Sequence, residues 1–166
     1  MNNAKPLVAV IMGSHNDIKV VRPALDTLEK FGITYEARVM SAHRTPDIVA
    51  EFVGGLYDRG FKAVIAAAGK AAHLAGAAAA RTVLPIIGIP VSATHLDGMD
   101  ALLATVQMPP GLPVATVAID GAVNAALLAI SIIGAFEPDV YAKLVKYRDD
   151  MAAAVMAKDT ELFGSN

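Results

Sequence analysis

No cysteine occurs in the 166 residues. Neither a disulfide framework nor a thiolate metal site is therefore open to the chain, and a reducing compartment, the cytoplasm, is the expected setting. Excess charge of one sign is missing too, with a net charge of -2 and a pI near 6.0. Nucleic-acid binding, which rests on a basic patch or stripe, is not expected. Met1 to Pro6 has one lysine and no apolar segment separate from the first strand, so no secretory signal is expected. Long hydrophobic runs are lacking, although 55% of the residues are hydrophobic and mean hydropathy is +0.49. The most apolar run, Ala122 to Phe136, is interrupted by Asn124 and Ser131 and falls short of the ~20 residues a membrane span needs. It reads as a helix buried on most sides. So much apolar sequence exceeds what one small core hides, which predicts burial between subunits in a homo-oligomer. None of the histidines, His15, His43, His73 and His95, is spaced with another as a metal pair, so no metal site is expected. Gly13-Ser14-His15-Asn16 lacks the further glycines of a dinucleotide fingerprint, and no Walker loop exists, so neither NAD nor ATP is indicated.

What is present is organised around Ser41-Ala42-His43-Arg44-Thr45-Pro46. Before it, Tyr35 to Met40 alternates, with Tyr35, Ala37 and Val39 on one face and Glu36 and Arg38 on the other, which predicts a strand. After it, Thr45 suits an N-cap, Pro46 the first helical position and Asp47 the first turn. Ile48, Val49, Phe52, Val53 and Leu56 then recur at helical spacing until Gly60 closes the helix. An imidazole and a guanidinium thus stand together at the carboxyl end of a strand, where open α/β sheets bind ligands.

The rest of the chain repeats this unit. Leu7 to Met12 is a continuous apolar run, as expected of a strand covered on both faces. A polar loop follows, then a helix with Ile18, Val21, Leu25 and Leu28 on one face and Gly32 as its C-cap. Ala63 to Ala67 predicts a third strand, with an alanine-rich helix from about Ala71 to Arg81. Ile86 to Ile89 predicts a fourth strand, stopped by Pro90. A helix from about Met99 to Val106, a strand at Val114 to Ile119 and a helix from about Val123 complete a doubly wound parallel sheet. A last amphipathic helix, roughly Val140 to Met156, packs either on a partner subunit or on its own domain. One domain is expected over 1–166, with a core at about 7–136 and the C-terminal helix at about 140–160.

Three loops should open on one edge of this sheet. Gly13-Ser14 offers backbone N–H groups and a hydroxyl as a phosphate seat, and Asp17 an acceptor for ribose hydroxyls; equally, Ser14 or Asp17 caps the helix. Arg44 suits bidentate recognition of phosphate, and a cation at a helix N-terminus is electrostatically unfavourable without an anion beside it. His43 brings an imidazole, the side chain most used for proton transfer, and is the candidate general acid and base.

Met12-Gly13-Ser14-x-x-Asp17, Ser41-Ala42-His43-Arg44-Thr45-Pro46, Ala71-Ala72-His73-Leu74 and Gln107-Met108-Pro109 together resemble the carboxyaminoimidazole ribonucleotide mutases of purine biosynthesis. The resemblance runs from about Leu7 to the Val123 helix. It implies a flavodoxin-like three-layer α/β/α sandwich with a five-stranded parallel sheet, assembled as an octamer, without metal or organic cofactor. The implied reaction moves a carboxylate from the exocyclic nitrogen of the imidazole to ring carbon 4. His43 would handle protons, while Ser14, Asn16, Asp17, Ser41 and Arg44 would hold the ribonucleotide. The loop of Gly69, Lys70, Ala71, His73 and Leu74 would close round the base and the released carbon dioxide. Gln107 and Met108 would reach in from a neighbouring subunit. Four features depart from the usual pattern: Lys70 replaces a second glycine, Ala75 a common proline and Asn16 a frequent serine, and the segment Asp120 to Val123 is short. Lys70 either adds a charge for the substrate carboxylate or points to solvent. A sister group carboxylates aminoimidazole ribonucleotide directly; it carries lysine after the active-site histidine and lacks the second histidine, so Arg44 and His73 favour the mutase. An inactive nucleotide-binding module is the alternative of another class.

Overall fold

The computed structural model describes residues 7–93 and 95–164, so Met1 to Pro6 lie outside the described residues. Five strands form one parallel sheet: β1 (Val8–Met12), β2 (Tyr35–Val39), β3 (Ala63–Gly69), β4 (Ile86–Val91) and β5 (Ala115–Thr116). Their order is β2-β1-β3-β4-β5, the flavodoxin-like order. The helices are α1 (Ile18–Phe31), α2 (Pro46–Gly54), α3 (Leu74–Ala79), α4 (Met99–Val106), α5 (Ala122–Gly134) and α6 (Pro138–Phe163). Right-handed crossovers in this order put α1 on one face of the sheet and α2, α3 and α4 on the other.

The packing follows from the pleat. Ala9 and Ile11 of β1 and Val64 and Ala66 of β3 point to one face. There they meet Val49, Val53 and Leu56 from α2 and its following turn, and Leu74, Ala75 and Ala78 of α3. Val8, Val10 and Ile65 fill the other face and are fully buried. Gly88 of β4 is small by necessity, because a Cβ there would strike Thr105 Cγ2 of α4 and come within 3.1 Å of Val114 Cγ1. Gly32 ends α1 with φ 75°, its N–H bonded to the carbonyls of Glu29 and Leu28.

Several boundaries differ from expectation. Strand β4 runs through Pro90 to Val91, and Pro90 faces the β5 side, where its carbonyl accepts from Asp120 N–H at 2.9 Å. Because β5 has already ended at Thr116, the missing proline N–H breaks no ladder bond. Strand β5 has two residues where six were expected. Strand β2 is an edge, so its alternation buries little, and Val39 stays 55% exposed. Helix α2 stops at Gly54, and the chain turns until Gly60 at φ 93°. Helix α3 starts only at Leu74, because Lys70 holds a left-handed conformation and residues 70–73 form tight turns. Helix α5 is buried on most sides as expected, with a narrow exposed edge at Val123, Asn124 and Leu128.

Two compact units divide between Ile130 and Ser131, and α5 crosses the division. The sheet and the loops at its carboxyl edge belong to the first unit. In the second, Gly134 closes against Leu144 and Tyr141, where a Cβ would lie 3.2 Å from Leu144 Cδ1. Helix α6 is 26 residues long and buries none of them, with Tyr141, Val145, Met151, Val155, Met156, Leu162 and Phe163 all exposed. Among the described residues no helix is long and apolar enough to cross a membrane.

Candidate active site

Parallel strands send all their carboxyl ends to one edge, and the loops after β1, β2, β3 and β4 surround a cavity of about 820 Å³ there. After β1, Ser14 caps a 3-10 turn, His15–Asp17, that leads into α1. Its Oγ accepts from Asn16 N–H at 3.2 Å, and Asp17 Oδ2 accepts from Ser14 N–H at 2.9 Å. The capping falls on this turn rather than on α1, whose N-cap Asp17 makes no side-chain bond to the helix, and Ser14, Asn16 and Asp17 line the cavity. Burial pushes the Asp17 carboxyl up from its ordinary 3.8, against the opposing pull of the Ser14 N–H, Arg44 and His15.

After β2, the turn from Ser41 to Thr45 is locked by its own side chains. Thr45 takes the expected N-cap position of α2, but its Oγ1 does not bond to the helix. It accepts from Ser41 N–H at 2.9 Å and donates to the Ser41 carbonyl at 3.2 Å. Ser41 Oγ in turn accepts from His43 N–H at 3.3 Å and Arg44 N–H at 3.2 Å. Two hydroxyls thus set the direction in which His43 and Arg44 leave the backbone. Arg44 Nη2 donates to the Gly13 carbonyl at 2.7 Å, clasping the second loop to the first.

After β3, Lys70 has φ 56°, and its carbonyl accepts from Ala72 N–H while that of Ala71 accepts from His73 N–H, each at 2.8 Å. These bonds bring His73 to His43. Nε2 of His43 and Nδ1 of His73 are 2.9 Å apart, with the rings edge to face at 68°. One ring donates and the other accepts, so the tautomers of the two imidazoles are coupled.

Of the residues the sequence singled out, Ser14, Asn16, Asp17, Ser41, His43, Arg44, Gly69, Lys70, Ala71 and Leu74 line this cavity. His73 joins it through His43. Gln107 and Met108 do not line it: Gln107 is exposed beyond α4, and the Met108 thioether lies over Gly76 of α3. The fourth wall, Val91, Ser92 and Ala93, was missed, as was Lys19. Reading Pro90 as the end of β4 removed a strand end, and with it a loop, from the site. Ser92 is held there by Asp120, whose carboxylate accepts from its N–H at 2.9 Å and its Oγ–H at 2.6 Å.

The chain is thus an α/β protein with a parallel sheet whose carboxyl edge gathers an arginine, two lysines and a histidine pair around one cavity, the edge where such sheets bind ligands. The AIR carboxylase family model matches residues 7–154, and the chain belongs to that family. The N5-carboxyaminoimidazole ribonucleotide mutase of Pyrococcus horikoshii is 49% identical over 98% of this chain and 92% of its own length. That of Bacillus subtilis is 48% identical over 95% of this chain and 99% of its own. The crystal structure of Treponema denticola PurE matches with a TM-score of 0.87 at 28% identity, covering 95% of this chain and 99% of that one.

Proposed function

We propose that this chain is an N5-carboxyaminoimidazole ribonucleotide mutase, an isomerase of purine biosynthesis. The observation that carries the reading is the joining of three strand-end loops at one cavity, His43 against His73 and Arg44 against the Gly13 carbonyl. Arg44 and the Ser14 hydroxyl suit the phosphoribosyl part, and Asp17 its hydroxyls. The chemistry then needs one proton carrier. As the N–C bond of the carbamate breaks, carbon dioxide departs and protonated His43 gives its proton to the exocyclic nitrogen. Ring carbon 4 next attacks the trapped carbon dioxide, and neutral His43 removes the proton which that carbon carried. The imidazole ends as it began, so no net proton is consumed and no ATP is required. Until it is recaptured, the carbon dioxide must be kept from water, and the Gly69 to Leu74 loop is the cover.

Because Gln107 and Met108 stand outside their own chain's cavity, we assign them to the site of a neighbouring copy, and the assembly to an octamer in the cytoplasm. The exposed apolar side chains of α6 support burial between copies.

Turnover of His43→Asn tests the proton carrier. The expected result is a kcat lower by roughly 10²- to 10⁴-fold, the usual worth of a positioned acid and base, with KM within a few-fold of the parent. Undiminished turnover would remove His43 from the chemistry.

A further inference from the structure

Three described residues other than glycine hold a positive φ: Lys70, Asp97 and Asp120. Aspartate tolerates this conformation better than most residues, and the Asp120 carboxylate is further held by two hydrogen bonds that it accepts from Ser92 across the sheet edge. Lys70 has no such compensation. Among the described residues nothing pairs with its ammonium, and the residue is exposed on the cavity wall. The turn itself needs the left-handed residue at 70. Position 69 must approach β4 closely, since a Cβ on Gly69 would lie 3.1 Å from the Val91 carbonyl. Glycine at 70 would satisfy the backbone at least cost, so a lysine there holds strain that its own contacts do not relieve.

The charges of the cavity fall into two groups. Arg44 stands on the loop after β2, where it reaches the Gly13 carbonyl, and Lys19 stands in the first turn of α1, which follows the loop after β1. Lys70 stands on a different loop, the one after β3, three residues before His73, whose ring meets His43. A ligand that filled the cavity with phosphate at the first group would meet a separate cation at the second. We propose that Lys70 is a specificity-determining residue that pairs with the migrating carboxylate, as the carbamate of the substrate and as the carbon-bound carboxylate of the product. This rests on the mutase reading. Lys70 stays protonated throughout and exchanges no proton with the ligand; its role is to distinguish carboxylated ribonucleotides from the bare aminoimidazole.

Binding of two ligands that differ only by that carboxylate tests the assignment: the carbon-carboxylated product and aminoimidazole ribonucleotide, measured by calorimetry on the parent and on Lys70→Met, Lys70→Gly and Lys70→Arg. Met and Gly should weaken the carboxylated ligand roughly 5- to 20-fold, as loss of one charge-assisted contact in a half-open site does, and leave the bare one unchanged, while Arg keeps both. Lys70→Gly should also melt no lower than the parent, because relief of strain offsets the freedom glycine adds to the unfolded chain, so lost affinity in that variant is not lost fold. Equal affinities of parent and Met variant for the carboxylated ligand, or equal losses for both ligands, would overturn the role of Lys70. Failure of the parent to bind either ligand would instead overturn the mutase reading.

Discussion

Asp17 carries an electrostatic load set by its burial. Half-buried beside Ser14, its carboxyl is raised above 3.8 chiefly by desolvation. The sign follows directly: a folded-state value above the unfolded one means the fold binds the proton more tightly. The stability from that proton is present below pH 3.8 and is lost as pH rises through the raised folded value. Asp17→Asn keeps an oxygen for the Ser14 N–H and removes the titration. Its melting temperature relative to the parent should therefore be higher at pH 7 than at pH 3.5, and an offset that is flat across that window would contradict the desolvation of Asp17. The parent retains an ionised carboxylate at neutral pH at some cost in stability, as expected where an acceptor is kept for ligand hydroxyls rather than for the fold.

At the scale of elements, the strand-end loops are built by side chains that sequence rules assign to helix capping. Thr45 is the clearest case. Its residue type and place before Pro46 read as an N-cap, yet its hydroxyl closes the loop back on Ser41. Thr45→Val keeps the shape and strands the Ser41 N–H. It should cost about 1–2 kcal/mol in denaturant unfolding and lower kcat/KM as well, because His43 and Arg44 hang from that loop. Loss of stability with kcat/KM intact would show that the loop does not position them. The sheet was legible from alternating strands and helices, and most of the cavity from its three polar loops, because both depend on local pattern. Three features were not legible, each decided by tertiary context. Pro90 continues a strand because the neighbour has ended. Residue 70 is left-handed in the turn that leaves β3, where the backbone of Gly69 packs against Val91. Residues His43 and His73, 30 positions apart, meet only when parallel strands align their ends.

For the whole molecule, the apolar excess seen in the composition reappears as exposed side chains. Val83 is 98% exposed and Phe136 83%, and α6 adds a further series along its length. Such surfaces are covered in assemblies, so sedimentation at micromolar concentration should show a species several times heavier than 17.2 kDa; a monomer would contradict the proposed octamer. Shared sites built from neighbouring copies would then keep carbon dioxide enclosed between its release and recapture. That enclosure is what separates a mutase from an enzyme that draws carbon dioxide from solution. The most direct measurement is an ultraviolet assay without ATP, with N5-carboxyaminoimidazole ribonucleotide in one cuvette and aminoimidazole ribonucleotide plus bicarbonate in the other. The account predicts rapid formation of the carbon-carboxylated product in the first and little in the second. Product from the second alone would contradict it and make the chain a direct carboxylase, and silence in both would leave only a nucleotide-binding module.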